Sequence, residues 1–87
     1  MVKTKIILAA PAGMHARMAG ALVKLVQDYQ GSDIRLATPQ RCVKASSMLS
    51  LLSLGAKCGT ELELSVDGGR EEEALATIAH FLETATI

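Results

Sequence analysis

The chain has 87 residues, 49% of them apolar and 21% charged, with nine Lys and Arg against nine Asp and Glu. That length holds one hydrophobic core, not two, so a single domain over residues 1–87 is expected. A formal charge of zero argues against nucleic-acid binding, which draws on a basic excess, and Tyr29 and Phe81 alone offer no base-stacking platform.

No apolar run approaches the roughly 20 residues that span a bilayer. Met1 to Leu8 carries lysines at 3 and 5 but shows no signal peptide. A cytoplasmic protein without membrane insertion is expected. Cys42 and Cys58 lack a CxxC or a histidine at ligand spacing, so they read as two reduced thiols. No metal site or cofactor is expected.

In chain order, Val2, Thr4, Ile6 and Leu8 alternate with Lys3, Lys5 and Ile7, which predicts a first strand. Pro11 and Gly13 mark a loop. From Ala16 the period changes. Met18, Leu22, Leu25, Val26 and Tyr29 fall on one helix face, widened by Ala19 and Val23, and Gly31-Ser32 ends it. Ile34 and Leu36 predict a second strand. Thr38-Pro39-Gln40 is a turn, and Arg41 to Lys44 completes a hairpin. Ser46 or Ser47 can cap a short helix to Leu54, with Gly55 just past its end. Leu62, Leu64 and Val66 alternate with Glu61, Glu63 and Ser65 as a fourth strand, and Gly68-Gly69 turns the chain. A last helix starts near Arg70, with Glu71, Glu72 and Glu73 at the positive end of its dipole. Its core face is Ala74 or Leu75, then Ile78, Phe81 and Leu82, while His80 is offset and solvated.

The order is β-α-β-β-α-β-α. Alternating strands bury one face each, which predicts an α+β fold: a four-stranded antiparallel sheet covered on one face by three helices, an open-faced sandwich. A ferredoxin-like arrangement is the competing topology. The extra helix from Ser47 to Leu54 counts against it.

Gly13-Met14-His15-Ala16-Arg17 is the most informative stretch. It delivers His15 to a helix start, where unpaired backbone N–H groups and the positive dipole end converge. That field disfavours an added proton and predicts a neutral, nucleophilic ring. The same N–H groups, with the Arg17 guanidinium, can hold a phosphoryl group on the ring. The alternative is a histidine that only caps the helix or sits solvated on the surface.

Met48-Leu49-Ser50-Leu51-Leu52-Ser53-Leu54 has too many apolar residues to turn toward one core from two turns. Leu51 and Leu54 are expected inside. Met48, Leu49 and Leu52 lie on another side, either as an exposed docking patch or buried under other elements.

Together these stretches resemble the HPr family, the histidine phosphocarriers of the sugar phosphotransferase system. The likeness spans nearly the whole chain. It rests on Gly13-Met14-His15-Ala16-Arg17, on Lys44-Ala45-Ser46-Ser47-Met48-Leu49 and on Ser53-Leu54-Gly55. It implies that His15 accepts a phosphoryl group on Nδ1 from enzyme I, which took it from phosphoenolpyruvate, and passes it to an enzyme IIA. Ala16 and Arg17 would stabilise the group, and Met48, Leu49 and Leu52 would dock both partners. Ser47 aligns with the regulatory serine when registered on Ser53-Leu54-Gly55, and Ser46 when registered from the N-terminus. Three positions depart from the family pattern. Met18 stands where proline is usual, Ala12 where a polar residue is common, and Ser46 where a basic one precedes the regulatory serine.

Two readings follow. In the first, the chain is a monomeric carrier and not an enzyme. In the second, it is a regulatory module acting by protein binding through the Ser47 helix, with an HPr kinase or a transcription regulator as partner. A self-contained hydrolase has no Ser/His/Asp arrangement or paired carboxylates behind it. Sugar uptake, a nitrogen-related branch and a dihydroxyacetone-phosphorylating branch share the carrier fold that the resemblance implies.

Overall fold

The structure is a computed structural model and describes residues 1–86. Its strands are β1 (Val2–Ile7), β2 (Asp33–Ala37), β3 (Cys42–Lys44) and β4 (Glu61–Asp67). Its helices are α1 (Ala16–Val26), α2 (Met48–Ser53) and α3 (Glu71–Thr84). The expected α+β order is observed.

The four strands form one antiparallel sheet in the order β1-β4-β2-β3. The last strand in sequence therefore lies inside, and β1 is an edge. A ferredoxin-like sheet would seat its first strand in the interior, so that alternative is excluded. Register sets the rows of the core. Val66 pairs with Val2 on one side and Ile34 on the other, and Leu64 with Thr4 and Leu36. The alternate row turns outward and carries Lys3, Lys5, Arg35, Glu61 and Glu63, with Lys5 opposite Glu63. Opposite charges at such a pairing add a few tenths of a kcal/mol to about 1 kcal/mol.

The helices cover the inward row. Ile6, Leu36, Leu62, Leu64 and Val66 meet Met18, Leu22, Leu51, Ile78 and Leu82, all of them buried, and no polar or charged residue is buried among the described residues. Leu25 and Phe81, expected on the core faces of their helices, are half-buried at its margin.

Three boundaries differ from the sequence reading. The α-helical ladder of α1 stops at Val26, and one 3-10 turn, Gln27–Tyr29, continues it. A tighter turn satisfies otherwise orphaned carbonyls at a helix end. It also buries the Tyr29 ring, whose hydroxyl meets the Thr77 hydroxyl at 3.2 Å while the Arg70 guanidinium covers its face 4.9 Å from the centroid. The third strand begins at Cys42, because Arg41 closes the turn: Thr38 N–H donates to its carbonyl at 2.8 Å. At α3, Arg70 is the flanking residue and the helix proper starts at Glu71. The Glu71 carboxylate reaches back to accept Gly68 N–H at 2.8 Å. That bond, with the Met1 ammonium at 3.4 Å, holds the Glu71 carboxyl below the usual glutamate range.

Candidate functional site

The site begins with the loop that leaves β1. Leu8 N–H donates to Thr60 C=O at 3.0 Å and Ala9 N–H to Leu82 C=O at 3.1 Å, which pins the loop's origin. Gly13 then takes a φ of +73°, in the region that favours glycine. A Cβ there would lie 2.5 Å from the Ala56 carbonyl oxygen and 2.8 Å from Lys57 Cα. Met14 N–H donates to that same Ala56 carbonyl at 2.9 Å, and its side chain is buried. The loop is thus seated on the segment that follows α2.

His15 comes next, as the N-cap of α1, in extended conformation (φ −92°, ψ 177°). Its Nδ1 accepts the Arg17 backbone N–H at 3.2 Å, and its carbonyl accepts Ala19 N–H at 2.9 Å. An Nδ1 that accepts carries its lone pair there, so the ring proton belongs on Nε2. The bond a capping serine would make is made here by the ring nitrogen. The helix-cap reading of His15 is therefore observed.

Ala16 and Arg17 are exposed in the first turn. The Arg17 guanidinium forms no ion pair among the described residues. Met18, at the position where proline is usual in the resembled family, is fully buried and ties the first turn to the core. Ala12 is exposed and brings no polar group to the loop.

The serine-led helix α2 packs against α1. Ser47 is its N-cap, with Oγ accepting Ser50 N–H at 3.3 Å, while Ser46 is exposed and does not cap. Gly55 follows the helix at φ +65°. Leu51 is buried, and Leu52 and Leu54 are half-buried. Met48 is 41% exposed and Leu49 80%. The apolar patch is therefore real, but Met48 and Leu49 form most of it, and Leu52 belongs partly to the core. His80 is exposed, and so are Cys42 and Cys58, which are free thiols. An open groove of about 600 Å³ lies between the end of α1 and the start of β2, lined by Tyr29, Gln30, Asp33, Lys44 and Ser46 among others, and His15 is not part of it.

Charge placement is the feature the sequence reading missed, although it is visible in the chain. All nine carboxylates fall in residues 28–33 and 61–83. The His15 loop, α1, the Arg41 turn residue, β3, α2 and the loop to Thr60 carry Arg17, Lys24, Arg41, Lys44 and Lys57 and no carboxylate. A zero total concealed this separation. The signal was the position of the charges, not their sum.

This geometry presents a ring nitrogen with its lone pair at a helix start, first-turn N–H donors and Arg17 beside it, and apolar side chains exposed on the neighbouring helix. Comparison with known proteins agrees with it. Residues 2–84 match the family model described as the PTS HPr component phosphorylation site. The chain is 33% identical over 84 residues to the phosphocarrier protein HPr of Mycoplasma genitalium, covering 95% of this chain and 94% of that one. It is 32% identical over 83 residues to the HPr-like protein Crh of Bacillus subtilis, covering 95% and 96%. A crystal structure of HPr from Thermoanaerobacter tengcongensis superposes with a TM-score of 0.90 at 30% identity, over 97% of this chain and 93% of that one. The chain belongs to the HPr family, the phosphocarrier proteins of the phosphotransferase system.

Proposed function

We propose that the protein carries a phosphoryl group on His15 between enzyme I, charged from phosphoenolpyruvate, and an enzyme IIA. The observation behind this reading is the Nδ1 lone pair presented at the start of α1, 3.2 Å from the Arg17 N–H. In the acceptance step that lone pair attacks phosphorus. The new N–P bond forms as the bond from phosphorus to the donor group breaks, and the donor keeps that electron pair. Arg17 N–H, released from Nδ1, turns to a phosphoryl oxygen, and the Arg17 guanidinium and Ala16 N–H supply further donors. The second transfer repeats the exchange in the other direction. Met48, Leu49 and the exposed part of Leu52 form the surface on which each partner docks. The protein is a carrier and not an enzyme: it presents one reactive side chain to two larger proteins in turn, in the cytoplasm and as a monomer.

The test is incubation with phosphoenolpyruvate and the cognate enzyme I, followed by mass spectrometry. A gain of about 80 Da that is acid-labile, alkali-stable and absent from His15→Ala is expected. No such adduct, or one that survives His15→Ala, removes this reading.

A regulatory role has support from one observation. Ser47 Oγ stands at the cap of the helix that also bears the exposed Met48 and Leu49. Phosphorylation there by an HPr kinase would place charge at the edge of the docking patch and recruit a transcription regulator or block transfer. For a purely regulatory module, Ser47→Asp changes partner binding and His15→Ala does not. The reverse pattern rejects it.

A further inference from the structure

The segment on which the His15 loop rests is tied to it by close backbone contact and hydrogen bonds. Gly13 approaches Lys57 Cα and the Ala56 carbonyl more closely than any residue with a Cβ allows. Ala56 C=O accepts Met14 N–H at 2.9 Å, one residue before His15. The turn itself is closed by Lys57 N–H to the Thr60 hydroxyl at 2.9 Å and Thr60 N–H to Lys57 C=O at 3.0 Å. Gly59 N–H then ties it to Leu8 C=O at 2.8 Å, where the His15 loop begins. The Lys57 backbone and the His15 loop are therefore packed and hydrogen-bonded together.

The Lys57 side chain is exposed and forms no ion pair among the described residues. No described residue pairs with its charge. The nearest carboxylate along the chain, Glu61, is on the outward face of the sheet. A flexible ammonium on a fixed base, next to a site whose own cation is also unpaired, is placed to act on an anion at that site.

We propose that Lys57 is a second cation of the His15 site, a positioning residue that draws in the anionic phosphoryl donor alongside Arg17. This rests on His15 being the phosphoryl acceptor. Lys57 acts through charge and forms no bond to phosphorus. Its effect reaches about one Debye length, roughly 8 Å at physiological ionic strength, and fades as salt is added.

The experiment uses potassium phosphoramidate as a small anionic phosphoryl donor, so that no partner protein enters the measurement. The rate of phosphohistidine formation on the full chain is followed by mass spectrometry for the wild type, Lys57→Gln, Lys57→Arg and Lys3→Gln. Lys3 is an exposed cation on the outward face of β1 and controls for the loss of one charge. At an ionic strength of about 20 mM, Lys57→Gln is expected to slow the reaction about two- to threefold. Lys57→Arg restores the rate, Lys3→Gln leaves it unchanged, and the difference vanishes at about 0.5 M salt. Equal rates for Lys57→Gln and Lys3→Gln at low salt overturn the proposal. So does a deficit that persists at high salt or comes with a lowered melting temperature, since either marks a structural role. A wild type that gains no phosphoryl group, like His15→Ala, removes the carrier reading itself and Lys57 with it.

Discussion

Histidine is not a common helix cap, yet at position 15 Nδ1 does what a capping oxygen does and aims a lone pair at a first-turn N–H. The residue that makes this possible is Gly13. Its φ of +73° and its approach to Ala56 and Lys57 both exclude a side chain. Gly13→Ala is accordingly expected to destabilise the fold by about 2–4 kcal/mol, from backbone strain and overlap together. A urea titration checks this through a lower midpoint at unchanged slope. A midpoint like the wild type's would mean that the loop relaxes freely, and that the seating of His15 on the Ala56–Lys57 backbone is loose.

The six-residue helix α2 is far too short to hold itself in water. It persists because Ser47 caps one end, Gly55 turns the other and Leu51 is fully buried. Its apolar residues thus divide into an inner and an outer set. Leu51→Ala should cost about 2–5 kcal/mol of stability, as truncations in a packed core do. Leu49→Ala should stay within about 0.5 kcal/mol, because the side chain is 80% exposed, and should instead weaken binding to enzyme I. Denaturant melts and calorimetric titration of the two variants distinguish these effects. If Leu49→Ala left partner affinity intact, α2 would not be the docking element.

Over the whole molecule, nine positive and nine negative charges cancel in number but not in place. Residues 8–27 and 41–60 carry cations and no carboxylate, while β4 and α3 hold most of the carboxylates. A molecule of this kind can be steered by a partner's field despite having no net charge. Second-order rate constants for transfer from enzyme I should therefore fall several-fold between about 20 mM and 300 mM salt, measured by rapid quench. A salt-independent rate would assign recognition to the apolar patch alone.

Much of the fold was legible in the chain. Alternation in β1, β2 and β4, the helical face from Met18 to Tyr29 and the serine before and glycine after α2 are local signals, and local backbone and burial preferences settle them. The His15 loop and the serine-led helix stood out for the same reason. The sequence by itself therefore determined the type and order of the elements, and which face of the strands and of α1 and α3 meets the core. Tertiary structure alone decided what each face meets. It put β4 between β1 and β2, brought Ala56–Lys57 beneath Gly13 and divided Leu49 from Leu51. These outcomes depend on pairing and close approach between residues far apart in the chain. A hydrophobic period specifies that a face is buried, but it carries no information about the distant partner that buries it.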